Sequence, residues 1–157
     1  MTIVEVMTAR QHSWNRLVFA PSDSNEGTGG DKRSRILIVE DDYFVAIGLE
    51  QNLQEAGFDV VGIAATAEEA MSLAAGTKPH LAIMDIRLAG KRDGIDAAIE
   101  LQATYGIPSL FATAHGDPAT RIRAEKARPA GWLTKPYSNL TAVEIVRQIL
   151  NKSGPTG

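Results

Sequence analysis

The chain has 157 residues, 44% of them hydrophobic, and a formal charge of −3, which fits one globular domain with a sizeable core and leaves little room for a second. It has no cysteine, so disulfides, thiolate metal sites and thiol nucleophiles are excluded and a reducing compartment is compatible. No apolar run reaches the roughly 18 residues of a membrane span, Glu5 interrupts the segment where a secretory signal needs an unbroken apolar core, and the charge is too mild to drive binding to nucleic acid. The expectation is a cytoplasmic protein that engages neither membrane nor nucleic acid.

In chain order, residues 3–20 scatter apolar side chains, among them Trp14, Leu17, Val18 and Phe19, too few for a core. Residues 21–34, PSDSNEGTGGDKRS, mix Pro, Gly, Ser and charge without periodicity, the composition of a flexible linker. Residues 1–34 therefore read as an N-terminal extension and linker, or as the product of a start site upstream of the true one. The folded domain is expected over 35–152, with a short tail over 153–157.

From Arg35 onward five short apolar runs alternate with helical patterns. The runs are Ile36–Val39, Val60–Ile63, Leu81–Met84, Ser109–Ala112 and Ala130–Leu133. Several are apolar on successive residues, as expected of parallel strands covered on both faces. Between them, Val45, Leu49 and Leu53 are spaced by four. Ile95, Ala98, Ile99 and Gln102 follow a three-four spacing, as do Leu140, Val143, Val146 and Leu150, and each set marks a helix with one buried stripe. Gly57 is a candidate C-cap, Pro108 precedes the fourth strand, Pro118 suits the first turn of the fourth helix, and Ser138 or Asn139 can cap the last. Alternating strands and helices with right-handed crossovers predict an α/β fold: a doubly wound, flavodoxin-like three-layer sandwich around a five-stranded parallel sheet of order 2-1-3-4-5.

In such a sheet ligands bind beyond the carboxyl ends of the strands, and these positions are unusually polar. Glu40, Asp41 and Asp42 follow the first run, Asp85 the third; Thr113 ends the fourth, and Thr134 and Lys135 follow the fifth. The first and third strands are neighbours in the expected order, so Glu40, Asp41 and Asp85 converge. Two carboxylates about 4 Å apart repel by roughly 4 kcal/mol at an effective dielectric near 20, so a cation has to offset them. Lys135 is one; the other is a divalent ion, and an all-oxygen donor set that also accepts phosphate oxygens selects Mg²⁺. With these in place an Asp85 oxygen can attack phosphorus, Thr113 can donate to a phosphoryl oxygen, and the aspartyl phosphate is a local charge change that a two-state surface can sense.

The segments ILIVEDD, LAIMDIRLAG, SLFATAH and GWLTKPY resemble, in order and spacing, the four signature regions of response-regulator receivers, over roughly three quarters of the chain. The resemblance implies that Asp85 is the phosphoacceptor, that Glu40 and Asp41 hold Mg²⁺ with the backbone carbonyl of Arg87, that Thr113 is the switch hydroxyl and that Lys135 is the phosphate partner. It also implies a cis bond before Pro136, which proline makes accessible. A histidine kinase or phosphotransfer protein would lie upstream, and an unknown protein downstream would meet the face formed by about residues 118–152. With 22 residues after Lys135, no DNA-binding output is expected, and catalysis is limited to the chain's own phosphorylation and dephosphorylation. One position departs from the pattern: the switch aromatic, usually Tyr or Phe, is Trp132, and its larger ring puts the usual coupling to Thr113 in question.

Plainer readings stand beside these. Asp42 either caps the first helix or touches metal. Trp132 is either a partly buried core residue or the switch. Arg121, Arg123, Lys126 and Arg128 form either a solvated face or a dock for an acidic partner. Arg87, Lys91 and Arg92 stand beside the acceptor, where they can attract a phosphodonor. His12, His80 and His115 are too scattered for a metal site; His115, two residues after Thr113, is expected to overhang the pocket and tune dephosphorylation. Three other classes share features with the chain. A dehalogenase-type phosphatase needs an Asp where Arg87 stands. A flavodoxin-like nucleotide binder needs a phosphate loop where the acidic triplet stands. A pseudo-receiver binds partners without phosphorylation.

Overall fold

The computed structural model describes residues 32–154, residue 115 excepted. The expectations for residues 1–31, including His12, and for His115 lie outside the described residues. Five parallel strands, β1 (Arg35–Val39), β2 (Asp59–Ala64), β3 (Leu81–Asp85), β4 (Ser109–Thr113) and β5 (Gly131–Thr134), form one sheet in the order β2-β1-β3-β4-β5, the order expected above. Helices α1 (Tyr43–Glu55), α2 (Ala67–Thr77), α3 (Gly94–Tyr105), α4 (Pro118–Ala124) and α5 (Asn139–Lys152) connect and follow them. A single 3-10 turn, Glu125–Ala127, extends α4.

Each helix start is set by a side chain that accepts free backbone N–H groups of the first turn. Asp42 accepts from Phe44 and Val45, Thr66 from Glu69, Asp93 from Ile95 and Asp96, Asp117 from Thr120, and Ser138 from Thr141. Such caps are each worth about 1 kcal/mol. Asp93 and Asp96 complete a capping box, and Pro118 occupies the first turn of α4, where its missing N–H costs nothing. Gly57, at φ +95°, stands one residue beyond the Ala56 C-cap of α1 and turns the chain into β2.

Side chains alternate across the sheet and divide the core. Ile36, Ile38, Leu81, Ile83, Leu110 and Leu133 pack with Leu49 and Leu53 of α1 and Val143 and Val146 of α5. Leu37, Val39, Met84 and Phe111 meet the other face, where the helices contribute mostly alanine: Ala67, Ala70 and Ala74 of α2, Ala97 and Ala98 of α3, and Ala124 of α4. Small helix residues bring backbones close, and larger sheet residues fill what remains.

Two stripe positions differ from expectation. Leu140 is 74% exposed and Val45 40%. Helices of 13 and 14 residues run about 20 Å, whereas five-residue strands run about 17 Å, so the first turns of α1 and α5 overhang the sheet and lie outside the layer that would cover them. The strands also run one residue further toward their carboxyl ends than the apolar runs suggest: β3 includes Asp85 and β4 includes Thr113, because backbone pairing continues past the last apolar side chain.

Candidate functional site

At the carboxyl end of β1, the backbone N–H of Glu40 bonds to the Ala64 carbonyl of β2 at 2.9 Å, which turns its side chain into the gap between β1 and β3. There Glu40 is only 6% exposed, and its Oε1 accepts the Asp42 N–H at 3.1 Å. Asp85, the last residue of β3, is 7% exposed; its Oδ1 accepts the Arg87 N–H at 3.2 Å. Lys135 follows β5, and its backbone N–H continues the β4–β5 ladder to the Thr113 carbonyl at 2.9 Å. Its ammonium reaches back across two strands to donate to Asp85 Oδ2 at 2.9 Å and Glu40 Oε2 at 3.2 Å. The Lys135–Pro136 bond is cis.

Carboxylate oxygens of Glu40, Asp41 and Asp85 lie within 4.8 Å of one another. Burial raises the Glu40 carboxyl to about 7, with the nearby Asp85 charge adding to the rise and the Asp42 N–H opposing it. Burial pulls Lys135 down, but the hydrogen bond and charge of Asp85, with Glu40, outweigh it and hold the ammonium above its ordinary range. Burial also raises Tyr137. The donor set is all oxygen, clustered and short of positive charge, which fits a hard divalent cation. Asp42 is not among the clustered groups; its Oδ1 caps α1, the first of its two readings.

Beside Asp85 opens a cavity of about 210 Å³ walled by Asp85, Arg87, Thr113, Asp117, Thr120 and Lys135. Thr113 is 9% exposed. Asp117 and Thr120, which the sequence reading left unassigned as site residues, form the outer wall, where Thr120 Oγ1 donates to Asp117 Oδ2 at 2.6 Å. The Asp-Pro pair at 117–118 was a legible cap signal, although nothing local says that the cap faces a cavity. Gly94 was also missed. Its N–H bonds to the Ile86 carbonyl at 2.7 Å, and a Cβ on it would stand 1.9 Å from the Asp85 carbonyl oxygen. Only glycine lets α3 approach the end of β3 this closely.

Trp132 is partly buried, stacked on Phe111 with ring centroids 5.1 Å apart and planes 28° from parallel, and the Arg121 guanidinium lies 4.4 Å from the centroid of its ring. Arg123 pairs with Asp93. Two of the four basic residues around α4 therefore hold internal partners and are not a plain solvated face. Arg92 pairs with Glu100 and lies 3.9 Å from Glu68, so its charge is not free to attract a donor; Arg87 stands at the cavity. His80 Nδ1 accepts the Arg35 N–H at 2.8 Å, away from the acidic cluster, and its burial and the Arg35 charge lower its pKa.

Residues 36–152 match the response regulator receiver domain family. The chain belongs to that family. Receiver membership sets aside the dehalogenase-type and flavodoxin-like readings. The regulator PhyR of Methylorubrum extorquens is 34% identical over 121 residues, covering 76% of this chain and 45% of that protein. The transcriptional regulatory protein PdtaR of Mycobacterium tuberculosis is 40% identical over 107 residues, 66% of this chain and 50% of that protein. The chain thus spans about half the length of these curated relatives. Among solved structures, the signal receiver domain of a modulated diguanylate cyclase from Desulfovibrio desulfuricans superposes with a TM-score of 0.70 at 34% identity, covering 76% of this chain and 95% of that one. A CheY-like receiver domain protein from Methanospirillum hungatei gives 0.72 at 25%, covering 80% and 99%. Among the described residues of this receiver, no helix is long and apolar enough to cross a membrane.

Proposed function

We propose that Asp85 accepts a phosphoryl group from a histidine kinase or phosphotransfer protein, and that the aspartyl phosphate signals through a protein-binding surface within residues 118–152. The observation that carries this reading is the Lys135 ammonium bonded to both Asp85 and Glu40 at the wall of a polar cavity. A partly buried lysine shared between two nearly buried carboxylates is costly as mere scaffolding, but it is placed to meet charge arriving on Asp85.

Fully ionised, Glu40, Asp41 and Asp85 carry −3, and Lys135 brings the sum to −2. A divalent cation would bring it near zero before an anionic donor enters. Glu40, Asp41, Asp85 and the Arg87 carbonyl would hold Mg²⁺, which when bound offsets the negative charge of the phosphoryl oxygens. The chain's own residues do the rest. Backbone and lysine contacts pin the Asp85 carboxylate, and one of its oxygens forms the new bond to phosphorus. The bond from phosphorus to the donor's imidazole nitrogen breaks, and its electron pair stays on that nitrogen. Lys135 and the Thr113 hydroxyl receive the phosphoryl oxygens, and positioning with charge stabilisation supplies most of the acceleration.

The test is intact mass after incubation with acetyl phosphate and Mg²⁺. Wild type is expected to gain one phosphate and Asp85→Asn none. A wild type that gains none would leave the other reading, an interaction module that works unphosphorylated.

A further inference from the structure

His80 lies at the amino edge of the sheet, the end opposite the acidic cluster, where the chain leaves α2 and enters β3. It is tied to the first residue of β1 in both directions. The Arg35 N–H donates to His80 Nδ1 at 2.8 Å, and the His80 N–H donates to the Arg35 carbonyl at 2.8 Å. The imidazole thus stands in for a backbone acceptor just ahead of the β1–β3 ladder, which begins at Ile36 and Leu81. The Arg35 side chain continues the tie. Its Nε donates to the Thr77 and Lys78 carbonyls, at 3.2 Å each, and its Nη2 to the Lys78 carbonyl at 2.8 Å, so the guanidinium caps the end of α2, where carbonyls lack helical partners.

Accepting at Nδ1 requires that nitrogen to be unprotonated, so the ring is neutral and its proton sits on Nε2. A second proton can go only to Nδ1. An imidazolium donates from both nitrogens and accepts at neither, so protonation turns the Arg35 N–H and the ring into two facing donors, beside a guanidinium that keeps its charge at any accessible pH. Charged groups on the adjoining segments are Arg33 and Arg35 at the head of β1, Lys78 in the turn that carries His80, and Asp59, the Cα partner of Arg35 at the head of β2. Three of these four are positive. Gly106, Ile107 and Pro108, which lead into β4, carry no charge. Burial and then the Arg35 charge hold the His80 pKa below its ordinary value, the direction that favours the neutral, accepting ring.

We propose that His80 is a proton-operated fastener for the amino end of β1: the neutral ring closes the strand onto the turn between α2 and β3, and protonation opens it where residues 32–34 enter the domain. The inference does not depend on phosphorylation of Asp85. The folded pKa of His80 lies below 6.5, so the stability this group contributes is complete above that value and is lost as pH falls through the folded pKa. Glu40, just past the other end of the same strand, has a raised pKa and contributes in the opposite sense. Acid therefore loosens the head of β1 while it relieves charge at the carboxyl end, and the opening is local because the rest of β1 is paired on both sides.

The experiment uses the full chain, labelled with nitrogen-15 and free of metal, from about pH 5 to 7.5. Imidazole NMR spectra report the tautomer and titration midpoint of His80, whose signals are identified by their absence from His80→Asn. Amide exchange, expressed as protection relative to an unstructured chain, reports the Arg35 N–H. Wild type is expected to carry the His80 proton on Nε2 at neutral pH and to titrate below 6.5. Across that titration Arg35 protection should fall about fivefold, the worth of one hydrogen bond, while the Ile38 and Val39 amides keep theirs. His80→Asn and His80→Ala should both abolish the pH dependence, with protection in His80→Ala low throughout. Arg35→Met, which keeps the backbone N–H and removes the guanidinium, should move the His80 midpoint up toward 6.5. Level Arg35 protection while His80 titrates, a proton on Nδ1 at neutral pH, or a pH dependence that survives in His80→Asn would each overturn the fastener.

Discussion

The two walls of the cavity are built by different means. On the β1–β3 side, Glu40 and Asp85 are nearly buried, and each carboxylate is tied to a backbone N–H and to Lys135. On the β4–α4 side, the Asp117 cap, the Arg123–Asp93 pair and the Arg121 stack are made by side chains that reach water, and α4 buries one residue. Contacts of the second kind are lost first in local opening. Asp85 is therefore held by the stiff wall, and motion is available in the other.

Gly94→Ala attacks the stiff wall where it has no room, since the new methyl would overlap the Asp85 carbonyl. It is expected to cost about 3 kcal/mol in urea unfolding and to abolish phosphate uptake by displacing the acceptor strand. A loss as small as that of a surface substitution would show that this wall can yield after all.

Lys135→Met leaves Glu40 and Asp85 facing each other without their shared cation. In metal-free protein at pH 8 the expected loss is about 2 kcal/mol. At pH 6 it should shrink, because Glu40 can take up a proton and end the repulsion. Equal losses at both pH values would contradict the coupling.

Glu40 makes its own contribution to the pH dependence of the wild type. Its folded pKa of about 7 lies above the ordinary 4.5, so between these values the folded state binds more protons than the unfolded. Stability of the metal-free protein from this group is then present below pH 4.5 and is lost as pH rises through 7. With Glu40 among the proposed Mg²⁺ ligands, the ion would have to displace that proton, so its affinity in calorimetry should fall up to about tenfold per pH unit below 7 and level off above it. A flat affinity from pH 6 to 8 would remove Glu40 from the ligand set.

The smallest effect belongs to the loose wall. Arg123→Ala is expected to cost no more than about 1 kcal/mol, yet to speed amide exchange over Pro118–Ala124 while the β1 and β3 amides keep their protection. If both walls loosened together, the division between them would be wrong.

Much of this was legible beforehand, for identifiable reasons. Unbroken apolar runs mark strands covered on both faces, and the switch to three-four spacing marks helices; their alternation leads to the sheet order, which brings Glu40, Asp41 and Asp85 to one edge. Stripe membership was less secure. Leu140 shares the spacing of Val143 and Val146 but lies 74% exposed, because periodicity reports which face a residue is on and not whether the neighbouring layer extends that far. Gly94 drew no reading from the sequence, because the strand it touches lies nine positions back in the chain.

The sequence by itself determined the element order, the caps and the residue types at the strand ends, since these depend on near neighbours and on alternation along one dimension. Only the tertiary structure decided which groups share a space: that Asp41 joins the acidic cluster while Asp42 caps a helix, that Asp117 walls the cavity, and that Trp132 meets both Phe111 and Arg121. Those outcomes follow from how far helices overhang the sheet and how closely small residues let the layers approach, quantities set by the packed whole and not by any local window of the chain.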